Sequence, residues 1–245
     1  MPLLADNRIA IPQISIPMGL IIFDCDGVLV DSEPIAHGLL AQMMTDLGHP
    51  ISTAESIQKF TGRSLTDTLP LIEDILGRSI PDQMGQHYSR LLLERLCRDL
   101  KPIAGVKEAV AMLDYPRCVA SSSSLERIRL SLEVTGLSLL FGSNIFSATQ
   151  VTRGKPAPDL YLFAATRMAV APKDCVVIED SALGVTAGRL AGMKVIGFTG
   201  GAHLMSDAAR DLASAGAYAI VSSMAELPAI VEEVMSCVEP ARQPR

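Results

Sequence analysis

Short apolar runs that end abruptly in polar residues recur along this chain, and the segments between them carry apolar residues at helical spacing. The first run is Leu20, Ile21, Ile22 and Phe23, apolar on both faces, which predicts a central strand covered by helices on each side. Similar runs at 118–120, 144–146, 175–178, 194–198 and 218–221 predict five more strands. Helical patterns fill the intervals at 106–113, at 125–135, from Pro158 or Asp159 to Met168, at 182–191 and after Met224. This alternation predicts an α/β fold built on a doubly wound parallel sheet. No internal repeat or low-complexity stretch interrupts it.

The first and second strands are more than ninety residues apart, too far for one helical crossover. The spacing therefore predicts an inserted unit, and its sequence is helical throughout. Ile35, Leu39, Leu40, Met43, Met44 and Leu47 recur at helical spacing up to Gly48, and Ser52 with Glu55 forms a capping box for a second helix. A third helix is predicted over 65–76 with Gly77 as its stop signal, and a fourth from Pro81 with Met84, Tyr88, Leu91, Leu92 and Leu96 on one face. The unit leaves just after the first strand and returns near 102–105, so it is placed to close over that strand's end. The expected division is a tail at 1–18, a core at 19–33 and 102–238, a helical cap at 34–101 and a tail at 239–245. Within the first tail, Ile11, Ile14 and Ile16 are available for packing.

Composition narrows the partners. With 49% hydrophobic residues over 245 positions the chain can bury a large core, which excludes disorder for most of it. A net charge of -6, no cluster of Lys or Arg and no Trp provide no footprint for nucleic acid or for an anionic membrane. A small-molecule partner and a monomer are expected. No apolar run reaches membrane-spanning length, and the first 17 residues, with three prolines and one Arg, do not resemble a secretory signal. The five cysteines are odd in number, lack CxxC spacing and mostly sit in apolar runs; they read as reduced packing residues, which suits the cytoplasm. His37, His49, His87 and His203 show no metal spacing and are expected at the surface.

The chemistry gathers where strands end. The first is followed by Asp24 and Asp26, the second by the serines 121–124, and the fourth by Glu179 and Asp180. Open α/β sheets bind ligands at the carboxyl ends of such strands. Four carboxylates brought together there would repel one another unless a cation sat among them, and all-oxygen ligation is what Mg2+ accepts. A Mg2+ site calls for a phosphate. Asp24 is then placed as a nucleophile at phosphorus, forming an aspartyl-phosphate, while Asp26 protonates the leaving oxygen and later activates water. Ser121 and Lys155 would hold the phosphoryl oxygens. Each stretch also has a plain reading: a turn for the two aspartates, a helix N-cap for the serines, a loop lysine, and caps for the helix after Ser181. A calcium loop is excluded, because Val28 and Ile35 stand where oxygen ligands belong, and a P-loop is excluded by Thr149.

In this order the stretches resemble the haloacid dehalogenase superfamily, in the branch with a helical cap after the first strand, similar to β-phosphoglucomutases and phosphoglycolate-phosphatase-like enzymes. Asp24-Cys25-Asp26-Gly27-Val28 with Asp31-Ser32-Glu33 matches the first motif, Ser121 the second, Lys155 in the stretch 154–159 the third, and Glu179-Asp180-Ser181 the fourth. The match runs from about Leu20 to Gly201. The resemblance implies a Rossmann-like core and Mg2+ held by the Asp24 and Asp180 carboxylates and the Asp26 carbonyl, with Glu179 in or near the metal shell. It further implies that Ser121, Ser122 and Lys155 bind the phosphate, and that Gly62 and Arg63 of the cap bind the rest of the substrate; Arg90, which also lies on the predicted lid, is a second expected contact.

Single residues weigh the branches. Dehalogenases of this superfamily lack the second aspartate, and ion-pumping ATPases carry Lys after the first; Asp26 and Cys25 argue against both. Mutases carry a cap histidine where this chain has Ala36, with His37 turned about 100° away on a helix. They also carry an Arg where this chain has Leu65, whereas Arg63 follows the cap glycine as in many phosphatases. The expectation is a Mg2+-dependent phosphatase of a small phosphorylated metabolite, a sugar phosphate first. A phosphosugar mutase and a non-catalytic binding protein are the alternatives.

Overall fold

The computed structural model describes residues 19–203 and 207–236. The tails expected at 1–18 and 239–245 lie outside the described residues. Six parallel strands form one sheet: β1 Leu20–Phe23, β2 Arg117–Ser121, β3 Ile145–Ser147, β4 Cys175–Glu179, β5 Lys194–Phe198 and β6 Ala219–Val221. Their spatial order is β3-β2-β1-β4-β5-β6. Every expected strand is present, with ends shifted by a residue or so.

β1 lies between β2 and β4, with Ile22 opposite Cys118 on one side and Val177 on the other. All four of its residues are fully buried. Leu20 and Ile22 enter the apolar cluster on one face of the sheet, Ile21 and Phe23 the cluster on the other, as the two-residue period of a strand requires. After β1 the chain winds outward through β2 and β3, then crosses back to place β4 on β1's other side. The winding thus reverses direction beside β1, and such a reversal opens a crevice at the carboxyl ends of the strands. Topology therefore places residues 24–26 at the mouth of that crevice.

Four helices lie between β1 and β2: α1 Glu33–Asp46, α2 Thr53–Phe60, α3 Leu65–Leu76 and α4 Met84–Asp99. They enclose an apolar cluster of their own, which includes Leu40, Met44, Phe60, Ile72, Leu92 and Leu96. The capping box is formed as expected: Glu55 N–H donates to Ser52 Oγ at 3.2 Å, and Ser52 N–H donates to Glu55 Oε2 at 2.7 Å. Gly77 ends α3 at φ 64°, a left-handed conformation that glycine adopts without strain. α4 begins three residues later than the pattern predicts, because Pro81 first closes a turn in which Met84 N–H donates to its carbonyl at 2.8 Å. Entry and exit of the insertion are paired side by side. Asp31 N–H donates to the Lys101 carbonyl at 2.9 Å, and Ile103 N–H to the Leu29 carbonyl at 3.0 Å.

The helices α5 Val106–Met112, α6 Leu125–Val134, α7 Ser138–Phe141, α8 Asp159–Arg167, α9 Ala182–Leu190, α10 Ala208–Ala215 and α11 Leu227–Ser236 complete the described chain. The pattern did not announce α7 or α10. α7 is a single turn, and α10 buries only Leu212 among small and charged residues, too sparse a stripe to mark a period. α9 packs closely on the sheet, as its small residues predict: a Cβ on Gly188 would lie 2.5 Å from Val195.

The helical insertion depends on its own core. Leu96 is fully buried in it, and replacing such a leucine loses apolar burial and leaves a cavity. Leu96→Ala is expected to lower stability by about 2–5 kcal/mol, measured by urea denaturation; an unchanged midpoint would contradict the packing described here.

Candidate active site

Asp24 directly follows β1, and its backbone N–H extends the ladder by donating to the Ile178 carbonyl at 3.0 Å. Its Oδ1 accepts from Cys25 N–H at 2.7 Å, while Oδ2 lies 3.0 Å from Lys155 Nζ. Lys155 sits in the loop after β3 with its side chain fully enclosed, also pairs with Glu179 Oε1, and lies over the Tyr161 ring. Both Glu179 oxygens are committed. Lys155 and the Tyr161 hydroxyl, at 2.9 Å, donate to Oε1; Ser181 N–H and Oγ, at 2.8 and 2.9 Å, donate to Oε2. Ser181 also caps α9 by accepting from Gly184 N–H. A Cβ on Gly184 would overlap the Glu179 carboxylate, so only glycine lets the helix approach this closely.

The charges follow from this geometry. Burial pushes Glu179 toward its neutral form, but Lys155 and the Ser181 donors outweigh it and hold the carboxyl below its usual range. For Asp24 burial wins over the attraction of Lys155, with Glu179 and Asp180 adding repulsion, and its carboxyl is raised well above the usual range. Burial also raises Asp180, to about 6, against the pull of His203 and with the repulsion of Glu179. Oxygens of Asp24, Glu179 and Asp180 come within 4.8 Å of one another. The Asp24 and Asp180 carboxylates, both raised chiefly by burial, fit a hard divalent cation such as Mg2+, with Glu179 beside them.

Asp26 faces elsewhere. Its Oδ1 accepts from Ser32 Oγ at 2.5 Å and from Arg127 Nη2 at 2.6 Å, and its Oδ2 from Ser123 Oγ at 2.6 Å and Ser121 Oγ at 3.3 Å. Burial opposes its ionisation, yet Arg127, Ser123 and Ser32 hold it below the usual carboxylate range. Nothing in the motif spacing marked Arg127. Its position follows from Ser124, which caps α6 by accepting from Arg127 N–H at 3.3 Å, so the helix starts there and its first turn carries the guanidinium to Asp26. Ser32, Ser123 and Tyr161 were likewise not singled out as partners of the carboxylates.

A cavity of about 70 Å3 between the insertion and the sheet is walled by Asp24, Asp26, Gly62, Arg63, Ser121, Ser122 and Asp180, with Lys155 and Glu179 directly behind Asp24. The structure thus brings together nine of the ten residues named from the sequence. Ser122 Oγ donates to the Gly62 carbonyl at 3.1 Å, which ties the insertion to the sheet edge. Arg90 is a correction: it is exposed, pairs with Glu94 at 2.9 Å and lines a separate groove. Its helical position turns it outward. Two histidines also depart from the surface expectation. His37 is buried, with Nδ1 2.9 Å from Ser56 Oγ and Nε2 2.7 Å from Glu33 Oε2, and it lines the same cavity as Ala36. His203 is buried against Asp180. Partners from distant segments cover both rings, which spacing alone cannot show.

The chain is similar to several known proteins. A family described as haloacid dehalogenase-like hydrolase matches residues 21–198. A phosphorylated carbohydrates phosphatase of Thermotoga maritima is 32% identical over 229 residues, covering 89% of this chain and all of the relative. The 6-phosphogluconate phosphatase of Escherichia coli is 29% identical over 184 residues, covering 75% of this chain and 83% of the relative. A solved structure, a conserved haloacid dehalogenase-like protein of unknown function from Agrobacterium tumefaciens, superposes with a TM-score of 0.78 at 41% identity, covering 88% of this chain and 98% of that one.

Lys155 is the buried counter-charge of the site, and removing one partner of such a group leaves the others uncompensated. Lys155→Met is expected to cost about 3–5 kcal/mol of stability, read from urea denaturation without added metal. A variant as stable as the parent would show that Asp24 and Glu179 do not depend on it.

Proposed function

The chain belongs to the haloacid dehalogenase-like hydrolase family, and from that premise we propose that it is a Mg2+-dependent phosphatase of a small phosphorylated carbohydrate. The observation that carries the reading is the convergence of Asp24, Lys155, Asp180 and Asp26 at the end of β1. The two relatives named for phosphorylated carbohydrates and for 6-phosphogluconate support the substrate class. The described cysteines are free, with Cys25, Cys118 and Cys175 buried, which supports a cytoplasmic setting.

Asp24, Asp180 and the Asp26 carbonyl would hold the Mg2+, with Glu179 beside them. When bound, the ion supplies positive charge to the phosphate oxygens and to the Asp24 carboxylate. Ser121 Oγ and Lys155 Nζ bind the remaining phosphoryl oxygens. Asp24 attacks phosphorus: its oxygen–phosphorus bond forms as the bond to the substrate's alcohol oxygen breaks, and Asp26, ionised in the free protein, takes up the proton that a phosphate monoanion brings in and passes it to that oxygen. Asp26 then takes a proton from water, whose oxygen attacks phosphorus and releases Asp24 and inorganic phosphate. Gly62 and Arg63, carried by the insertion acting as a cap, face the body of the substrate, and Ser122 joins the two sides.

A mutase is the second reading, because His37 lines the cavity beside Ala36. Its ring nitrogens are committed to Ser56, Glu33 and Thr61, with none directed to Asp26. That leaves Asp26 without the imidazole that would hold it back from water, and favours hydrolysis.

Three outcomes are expected. Asp24→Asn, which keeps shape but removes the nucleophile, abolishes phosphate release from p-nitrophenyl phosphate while circular dichroism is unchanged; full activity in this variant, or in excess chelator, overturns the reading. With β-glucose 1-phosphate and a trace of glucose 1,6-bisphosphate, free phosphate forms faster than glucose 6-phosphate, and the reverse order establishes the mutase. Arg63→Ala raises KM for the best sugar phosphate by about 10-fold, the loss of one charge-assisted hydrogen bond, and spares p-nitrophenyl phosphate. Equal effects on both substrates would remove Arg63 from the sugar site.

A further inference from the structure

Two glycines, Gly27 in the loop after β1 and Gly201 after β5, clear space for one side chain that the chemistry above does not use. A Cβ on Gly27 would lie 1.9 Å from Asp180 Oδ2 and 2.8 Å from His203 Cε1, and one on Gly201 would lie 2.7 Å from the same ring carbon. Gly27 also stands at φ 78°, which disfavours any other residue. The two positions are far apart in sequence, and they meet beside this imidazole, where a Cβ on Gly201 would also lie 3.1 Å from the Gly27 carbonyl oxygen.

The space is used to set a polar ring against a carboxylate. His203 has no exposed side-chain surface, and its Nε2 lies 3.0 Å from Asp180 Oδ2. Neither ring nitrogen has an aligned hydrogen-bond partner, nor does Asp180 Oδ2, and Asp31 Oδ1 is buried without one too. Packing alone gives no reason for this choice. An aliphatic residue would fill the same volume without stranding polar atoms, which cost free energy when buried unpaired. A carboxylate that ligates a metal is normally held by a neighbouring hydrogen-bonding group, and such groups tune both affinity and geometry.

We propose that His203 is the positioning residue of Asp180, holding that carboxylate in the orientation that completes the cation site with Asp24. The inference rests on the cation site of the proposed function and adds a residue from β5's loop to it. His203 does not touch the phosphoryl group. It acts on the metal through Asp180, and its neighbours Gly27 and Gly201 keep the approach open. Gly201 thereby acquires a reason.

The test measures metal binding without turnover. Mn2+ is titrated into the metal-free protein and followed by electron paramagnetic resonance, for the parent, His203→Ala, His203→Gln and His203→Met, with thermal melting of each. His203→Ala is expected to weaken Mn2+ binding by about 10–100-fold. His203→Gln, whose amide nitrogen reaches the place of Nε2, recovers most of that loss, and His203→Met, which fills the space without a donor, does not. Should His203→Ala fail to fold, the comparison of Gln with Met decides. Equal affinity of the parent and His203→Ala, or of the Gln and Met variants, overturns the proposal while leaving the cation site intact. Absence of Mn2+ binding in the parent overturns the cation site itself, and this proposal with it.

Discussion

The structure depends on one buried ammonium. Lys155 stands with no exposed side-chain surface between Asp24 and Glu179, where two carboxylates would otherwise meet at the ends of neighbouring buried strands. Opposite charges at such short range in a poorly polarisable interior attract strongly, but their removal from water costs nearly as much. The balance is kept by hydrogen bonds. Glu179 is saturated by Lys155, Tyr161 and Ser181, so it serves as the fixed anion that anchors the ammonium. Asp24 shares the same ammonium but has fewer donors, and burial raises its carboxyl well above the usual range despite that ammonium.

The second dependence is mechanical. The inserted helices reach the sheet through paired strands at residues 29–31 and 101–103, and touch its edge again where Ser122 meets Gly62. With both contacts made, the space between them is about 70 Å3. Opening that space would turn the helical unit on the paired segments at 29–31 and 101–103 and break the bond at Ser122 together with the packing of α4 on α6. Asp26 lies close to that hinge, since Ser32, its partner at 2.5 Å, is the residue before α1. Movement of the insertion is thereby coupled to the residue assigned to proton transfer.

Much of this was legible in the chain. β1 and β4 are apolar on both faces and end in carboxylates, so their central place and their chemistry could be read together; a surface strand would alternate. The capping box at Ser52 and the glycine stop at Gly77 are local devices, complete within a few residues, and they formed as written. α10 was not legible, because a helix that buries one leucine leaves no stripe. Arg90 misled for the opposite reason: it lies on the expected helix, but only packing determines which side of a helix faces the sheet.

What the sequence determined by itself is the part carried by short range: the six apolar runs, the helical insertion between the first two, and the polar residues stationed at strand ends. These are fixed by backbone preference and by the period of burial, which operate over a few residues. Tertiary structure alone decided the partnerships. Arg127 reached Asp26 across 101 positions, Ser122 reached Gly62 across 60, and His203 came to Asp180 through room left by Gly27. Electrostatic and hydrogen-bond pairing depends on distance in space, and no interval along the chain records it until the sheet has closed.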